Sequence, residues 1–196
     1  CEDAWYGEGE TSYHLPPENR RDPVAELAAA GAEMFINLSA SPFEIDKPRR
    51  RTGIVSRHVA KHRRPFVFVN QIGGNDDLVF DGNSLVIGAE GQLLAQLAPF
   101  AEDFHVLDID SPRQPITEQL RPRPADILDA LILGLKDYAR KSGFKDCVLG
   151  LSGGIDSALA CYIASRAFGP DHVHGLALPS RYSSEHSVND AAALAK

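Results

Sequence analysis

The feature that most constrains the fold is an apolar run that breaks into a glycine-rich loop and then a helical pattern. Residues 148–151 are followed by Ser152-Gly153-Gly154-Ile155-Asp156-Ser157. Adjacent glycines let a backbone approach an anion closely, and the N–H groups that open a helix carry partial positive charge. The pattern therefore predicts a phosphate-binding loop at the carboxyl end of a strand. It is not the Walker loop, because no lysine follows Gly154. A turn without function would explain the glycines but not the acid and both serines beside them.

Composition narrows the class of protein. The 196 residues are enough for one large domain or two small ones, and 43% hydrophobic with 24% charged residues is ordinary for a globular protein. A net charge of −7 argues against nucleic acid or an anionic membrane surface as partner. No apolar run approaches the roughly 20 residues of a membrane span. Three widely spaced cysteines suit a reducing compartment, so we expect a cytoplasmic enzyme.

The pattern of elements predicts alternating helices and strands. Helices are predicted over 23–31 with Asp22 as N-cap, and over 52–64, 125–141, 156–168 and 188–196. Strands are predicted over 33–38 (buried), 66–70, 84–87, 93–97, 104–109, 147–151 and 172–178. A turn is expected at 81–83, and residues 84–97 read as a hairpin. The stretch 111–124 contains four prolines and is predicted to be a linker. The order of elements after this linker, helix–strand–loop–helix–strand, predicts a parallel βαβ unit.

The first residues carry a second chemical signal. Cys1-Glu2-Asp3-Ala4-Trp5 would be compatible with a buried thiol at a turn. The segment also resembles the nucleophile segment of the nitrilase superfamily, in which a thiol attacks an amide or nitrile carbon. The Glu and Lys that complete the triad in that superfamily lie upstream of the Cys. Because the chain starts at the Cys without Met and ends in a helical pattern, we expect it to be an internal piece of a longer protein, inactive by itself.

Two further stretches fit the same superfamily. Asn37 to Phe43, continuing to Lys47, follows one predicted strand, and Asn70 to Ser84 follows the next. Alone they are weak, since Gly-Gly-Asn-Asp is typical of turns. The Ser-Gly-Gly-x-Asp-Ser string in turn resembles the pyrophosphate loop of ATP pyrophosphatases, which adenylate a carboxyl or carbonyl carbon.

Taken in order, these segments resemble the glutamine-dependent NAD synthetase family over essentially the whole chain. The resemblance implies an α/β fold: the C-terminal part of a nitrilase-like αββα sandwich (1–110), a linker (111–124), and the start of a doubly wound parallel-sheet domain of the adenine nucleotide alpha hydrolase type (125–196). It implies that ammonia released from glutamine converts adenylated deamido-NAD into NAD. The implied partners are glutamine, deamido-NAD and ATP, with Mg²⁺ as cofactor, and with no nucleic acid or membrane; the full-length enzyme is expected to be a homo-oligomer.

The resemblance also assigns roles to residues. Cys1 matches the glutaminase nucleophile, and Lys47 is a natural partner for the glutamine carboxylate. The other residues predicted to bind glutamine are Ser41, Glu2 and Trp5. The residues predicted to bind ATP are Gly150, Leu151, Ser152, Gly153, Gly154, Ile155, Asp156 and Ser157. Asp156 is also the expected Mg²⁺ ligand, since a carboxylate beside phosphate oxygens suits that cation. Arg181 is expected near the nucleotide.

Other interpretations remain open at this stage. Lys47 precedes three arginines, 49–51, and such a cluster is typical of a solvated face. Four histidines, at 58, 62, 172 and 174, do not have zinc-site spacing. An asparagine synthetase also joins a Cys glutaminase to a Ser-Gly-Gly-x-Asp-Ser domain, although Glu2-Asp3 fit its N-terminal nucleophile poorly. A chain that only binds nucleotide is the third reading, against which the presence of both Cys1 and Asp156 argues.

Overall fold

The computed structural model describes residues 2–6, 21–109, 114–179 and 184–196. By its internal contacts the chain divides into two compact units. The first comprises Cys1–Gly73 with Val79–Asp126, and the second comprises Gly74–Leu78 with Ile127–Lys196. No helix within the described ranges is long and apolar enough to cross a membrane.

A four-stranded mixed sheet organises the first unit. Its strands are β1 (Phe35–Ser39), β2 (Phe66–Asn70), β5 (Leu85–Ile87) and β6 (Leu93–Gln96), in the order β1-β2-β5-β6. β1 and β2 are parallel, with Ser39 opposite Asn70, whereas the pairs β2/β5 and β5/β6 are antiparallel. The predictions for 66–70 and for the 84–97 hairpin are confirmed. Because β1 and β2 are parallel and adjacent, the polar residues that follow them emerge at the same edge.

Two helices cover one face of this sheet. α1 (Pro23–Ala29) begins as predicted: the Asp22 side chain accepts a hydrogen bond from the Ala25 N–H, and Pro23 occupies the first helical position. α2 (Lys47–His62) is the crossover between β1 and β2. The buried cluster formed with the sheet comprises Ala4, Val24, Phe35, Val55, Val59, Phe66, Phe68, Leu85 and Ile87.

α2 begins five residues earlier than the predicted residue 52. Pro48 lies in its first turn, where the missing N–H costs nothing, and the run of arginines continues the helix. The residue before the helix, Asp46, has φ of 67° and makes no side-chain cap. The start therefore lacks the usual capping signal, which is why the sequence pattern misplaces it.

Two strand predictions need correction, and one small sheet was not predicted. β1 begins at Phe35 rather than residue 33, and it is not fully buried: Ile36 and Leu38 are 60% and 74% exposed, because alternate side chains point to opposite faces of a sheet. Residues 104–109 form no strand, and Phe104 is 85% exposed. Their alternating apolar residues imitate a strand, but they form no ladder with the described strands. Conversely, 72–81 contains an unpredicted two-stranded sheet, β3 (Ile72–Asn75) with β4 (Leu78–Asp81).

The second unit contains α3 (Arg123–Ser142, from residue 127), β7 (Cys147–Gly150), α4 (Ile155–Phe168), β8 (Val173–Leu176) and α5 (Glu185–Leu194). β7 and β8 pair in parallel, with Gly150 opposite Leu176, so the predicted βαβ unit is confirmed. The second strand covers Val173–Leu176 rather than the predicted 172–178. Residues 170–172 form a turn of 3-10 helix, and residues 177–179 form no strand. The last helix begins at Glu185 rather than residue 188, with Ser184 as N-cap.

Candidate functional sites

The predicted glutamine site starts with the segment that follows Cys1. Cys1 and the side chain of Glu2 lie outside what the structure describes. Residues Glu2–Trp5 form a turn of 3-10 helix with Ala4 buried in the core. His58 on α2 fixes this turn, since its Nε2 lies 2.7 Å from the Ala4 carbonyl oxygen. A carbonyl only accepts, so Nε2 carries the hydrogen in this contact. His58, considered above only as a metal ligand, thus anchors the segment that carries the predicted nucleophile.

Lys47 and Trp5 are brought together. Lys47 is the first residue of α2, its ammonium lies 5.6 Å from the centre of the Trp5 ring, and its side chain is only 12% exposed. The same ammonium forms an ion pair of 2.7 Å with the Glu44 carboxylate, whose other oxygen accepts from Arg50 at 2.9 Å. Among the described residues, Glu44 is the one carboxylate paired with this ammonium. An ammonium has three donors, so it can also bind a second carboxylate. This geometry suits an amino-acid carboxylate.

Ser41 is held by a separate, buried network. Its N–H donates to Asn70 Oδ1 at 2.9 Å, and its carbonyl accepts from Asn70 Nδ2 at 3.3 Å. Asn70 Nδ2 also lies 3.2 Å from an Asp81 carboxylate oxygen. Asp81 forms a two-pronged ion pair with Arg51, at 2.9 and 3.0 Å.

The arginine cluster therefore does not behave as one solvated face. Arg51 is 1% exposed, and its guanidinium also lies 5.3 Å from the centre of the Phe68 ring. Sequence reasoning missed Arg51, Asp81 and Asn70 as members of one site. Two features of the sequence could have indicated this site: Asn70 ends a strongly predicted strand, and Asp81 lies in the segment that follows that strand.

The predicted ATP loop lies where the sequence indicates, between β7 and α4. Gly154 is the N-cap of α4 and has extended backbone angles. The Ser152 hydroxyl accepts from the Gly154 N–H at 3.2 Å and lies 3.0 Å from the Ser157 hydroxyl, which donates to the Gly154 carbonyl at 2.9 Å. The loop is thus already closed by its own serines, which explains structurally why serines accompany the glycines.

Gly153 meets two separate requirements for glycine. Its φ is +80°, a conformation that L side chains rarely adopt, and a Cβ at this position would overlap the backbone of Ser187 on α5. The N-terminal part of α5 therefore packs directly on the loop. A cavity of about 350 Å³ lies beside this contact. It is lined by Leu151, Gly153, Gly154, Ile155, Ser157, Ala158, Asp190, Ala191 and Leu194.

Asp156 occupies the first turn of α4 and is exposed. In the described part of the chain, no group of three or more His, Cys, Asp or Glu residues could hold a metal ion. The Asp156 carboxylate beside the loop fits Mg²⁺, which proteins commonly bind through one or two carboxylates together with substrate phosphates. Arg181 lies outside the described residues.

His172 and His174, the other two histidines considered above as metal ligands that lie in the second unit, pair with an acid instead. His172 and His174 contact the same Asp146 carboxylate oxygen, at 3.2 and 3.3 Å. Hydrogen bonds from these two rings hold the pKa of Asp146 below its usual range. All three side chains are more than half exposed, so this cluster is a surface contact.

Comparison with known proteins finds two families along the chain. The family model for carbon-nitrogen hydrolase matches residues 18–115, half of the chain, and the model for NAD synthase matches residues 127–196. The chain therefore belongs to the carbon-nitrogen hydrolase family, and its fold is a carbon-nitrogen hydrolase segment followed by the start of an NAD synthase domain.

The similar proteins match this chain across both segments. A glutamine-dependent NAD(+) synthetase of Synechocystis sp. is 40% identical over 204 residues, covering all of this chain and 36% of that protein. The enzyme of the same name from Rhodobacter capsulatus is also 40% identical, over 202 residues and 34% of its length. The structure of glutamine-dependent NAD+ synthetase from Acinetobacter baumannii in complex with ADP matches with a TM-score of 0.81 and 34% identity, over 98% of this chain and 35% of that one. The chain thus spans about a third of the length of these relatives.

Proposed function

We propose that the protein to which this chain belongs makes NAD from deamido-NAD, with ATP as energy source and glutamine as nitrogen donor. One observation carries the proposal: a carbon-nitrogen hydrolase segment and a Ser-Gly-Gly-x-Asp-Ser loop on a parallel βαβ unit follow each other in one chain, in the same order as in the relatives. The first chemistry releases ammonia from an amide, and the second activates a carboxyl group that ammonia can attack.

In the glutaminase step, the Cys1 thiolate attacks the side-chain amide carbon of glutamine. Ammonia leaves and a thioester remains, which water hydrolyses to glutamate and free thiol. Lys47 binds the α-carboxylate of glutamine, and the Trp5 ring forms the adjacent wall. The Ser41 hydroxyl contacts the α-amino acid group. Support for these roles comes from the mostly buried side chain of Lys47, the 5.6 Å approach of its ammonium to the Trp5 ring and the fixed backbone of Ser41.

In the synthetase step, an oxygen of the nicotinate carboxylate attacks the α-phosphorus of ATP and pyrophosphate leaves. Ammonia then attacks the acyl carbon of the adenylate, AMP leaves and NAD is formed. The N–H and hydroxyl groups of the loop contact the pyrophosphate portion of ATP. They belong to Ser152, Gly153, Gly154 and Ser157. Asp156 would hold Mg²⁺, whose chemistry is to neutralise charge on the phosphate oxygens. The N-terminus of α4 adds its partial positive charge.

The experiment that tests this function varies the acyl acceptor. The full-length protein is incubated with ATP, Mg²⁺ and glutamine, and AMP, pyrophosphate and amide product are measured with deamido-NAD or with aspartate. We expect stoichiometric NAD, AMP and pyrophosphate with deamido-NAD and no asparagine. Asparagine formation would favour the asparagine synthetase reading. Nucleotide binding without ATP–pyrophosphate exchange would indicate a binding protein.

A further inference from the structure

The buried network behind Ser41 assigns a role to a residue outside the predicted set. We propose that Asn70 is a positioning residue for glutamine recognition, acting through Ser41. The proposal rests on the proposed glutaminase function of the first unit, and it adds the group that fixes one of its substrate contacts.

The argument begins with the geometry of the Asn70 side chain. β1 ends at Ser39, opposite Asn70 in the parallel ladder, and the Gln71 N–H continues the ladder by donating to the Ser39 carbonyl. Two residues further on, the carboxamide of Asn70 replaces a strand as partner of Ser41. It accepts from the Ser41 N–H at 2.9 Å and donates to the Ser41 carbonyl at 3.3 Å. Two bonds to one residue fix both its position and its orientation.

The direction of the carboxamide is itself determined by its neighbours. The amide group that faces Asp81 must be the NH₂, since an ionised carboxylate can only accept. Asp81 is fully buried, and Arg51 satisfies both of its oxygens while also donating to the Gly82 carbonyl at 3.3 Å. The Asn70 backbone is held by the Ser84 hydroxyl, which accepts from its N–H at 3.0 Å. A flipped carboxamide would place its oxygen against the carboxylate, so a single orientation is strongly favoured.

This arrangement has a consequence for Ser41. The single N–H of Ser41 already donates to Asn70, so a hydrogen bond that Ser41 donates to a substrate comes from its hydroxyl. The hydroxyl's place is set by the backbone, and the backbone is set by Asn70. Four separate segments contribute to this one position: the end of β1, β2, β4 and α2. Several supporting contacts around one serine are expected when its side chain must bind a substrate in a defined position.

The test separates recognition of the α-amino acid group from reactivity of the thiol. The full-length protein is treated with 6-diazo-5-oxo-L-norleucine, a glutamine analogue that carries this group, or with iodoacetamide, which lacks it. We expect Asn70→Ala to slow inactivation by the analogue about tenfold, the effect of losing one well-placed contact, and to leave the iodoacetamide rate unchanged. Asn70→Ser, which replaces the carboxamide with a smaller hydroxyl group, serves as the milder variant. Thr52→Ala removes a partly buried hydrogen bond to Glu118, outside the network that holds Asn70 and Ser41. It is therefore the matched control and should leave the ratio of rates unchanged.

A double variant makes the test strict. If Asn70 acts through Ser41, Asn70→Ala adds nothing to the slowing that Ser41→Ala already causes. Equal slowing by both reagents, additive effects in the double variant, or an unchanged ratio in Asn70→Ala would overturn the proposal and leave the network a purely structural one. A wild-type protein that the glutamine analogue does not inactivate would instead overturn the proposed function itself.

Discussion

At the scale of single residues, Lys47 combines features that favour binding of a carboxylate. It is mostly buried, lies over Trp5 and shares its ammonium with Glu44. Glu44 is more than half exposed and also bonds Arg50, so it can turn toward solvent while a substrate carboxylate occupies Lys47. The ion pair therefore holds the lysine in place without blocking it.

The first prediction concerns this lysine. Lys47→Ala should raise the KM for glutamine by at least about tenfold and leave kcat nearly unchanged, because the carboxylate contact is made equally in the ground and transition states. Steady-state kinetics with glutamine and with ammonia check it, and ammonia-dependent synthesis should not change. Lys61→Ala, which removes a lysine paired with Asp22 at the other end of α2, is the matched control. An unchanged glutamine KM in Lys47→Ala would mean that Lys47 does not bind the glutamine carboxylate.

The second prediction concerns Asp156. Asp156→Asn should lower NAD formation with either nitrogen source by about two orders of magnitude or more, since a Mg²⁺ ligand stabilises charge on the leaving pyrophosphate by several kcal/mol. ATP–pyrophosphate exchange in the full-length protein, titrated with Mg²⁺, measures it. Asp171→Asn changes an exposed acid of the same unit and should have no effect. Near-normal exchange in Asp156→Asn would place the metal elsewhere.

At the scale of elements, the phosphate loop and α5 depend on each other. Gly153→Ala should destabilise the second unit by more than Gly143→Ala, which also has positive φ but open space around its Cβ position. The control should cost about 1–2 kcal/mol for the backbone conformation alone. Gly153→Ala adds the overlap with Ser187, so ATP–pyrophosphate exchange should also be lost. Thermal denaturation and exchange assays check both parts. Equal stability of the two variants would mean that α5 does not pack on the loop.

The ion pair between α2 and β4 gives a fourth prediction. Asp81→Ala leaves the Arg51 guanidinium buried without its partner and should lower the free energy of unfolding by about 3–5 kcal/mol. Glu90→Ala removes the exposed partner of Arg63 and should cost no more than about 1 kcal/mol. Chemical denaturation of both variants tests the difference. Similar costs would show that the Arg51–Asp81 pair is solvated.

These elements also show what the sequence can and cannot predict. Local signals predicted α1, since Asp22 and Pro23 act within one helical turn, and they predicted the β7–α4–β8 unit, whose loop has its own composition. Arg51 could not be distinguished from Arg49 and Arg50 by local pattern. Its burial depends on Asp81, 30 positions away in the chain. Residues 104–109 show the opposite case, in which a local β pattern forms no ladder with the strands described here.

The same limit applies to the candidate sites. The residues carried by short motifs, such as Ser152 and Lys47, were identified from sequence, and their roles stay predictions. Asn70 and His58 were not identified as positioning residues, because hydrogen bonds to the backbone of Ser41 and Ala4 leave no trace in composition or spacing. Positioning residues become visible only when the fold brings separate segments together.

At the scale of the whole molecule, the central claim is that two chemistries are joined by ammonia. The first unit should be needed only when glutamine is the nitrogen source, whereas the second should be needed for every molecule of NAD. This asymmetry distinguishes the proposed enzyme from a protein in which the carbon-nitrogen hydrolase segment has lost its function.

The measurement that tests this claim most directly is NAD formation by the Cys1→Ala variant of the full-length protein, with glutamine or with ammonium chloride as nitrogen source. We expect loss of glutamine-dependent synthesis, because the variant lacks the thiol proposed to form the thioester, and an ammonia-dependent rate equal to that of the wild type. Glutamine-dependent synthesis that persists in Cys1→Ala, or equal loss with both nitrogen sources, would contradict it.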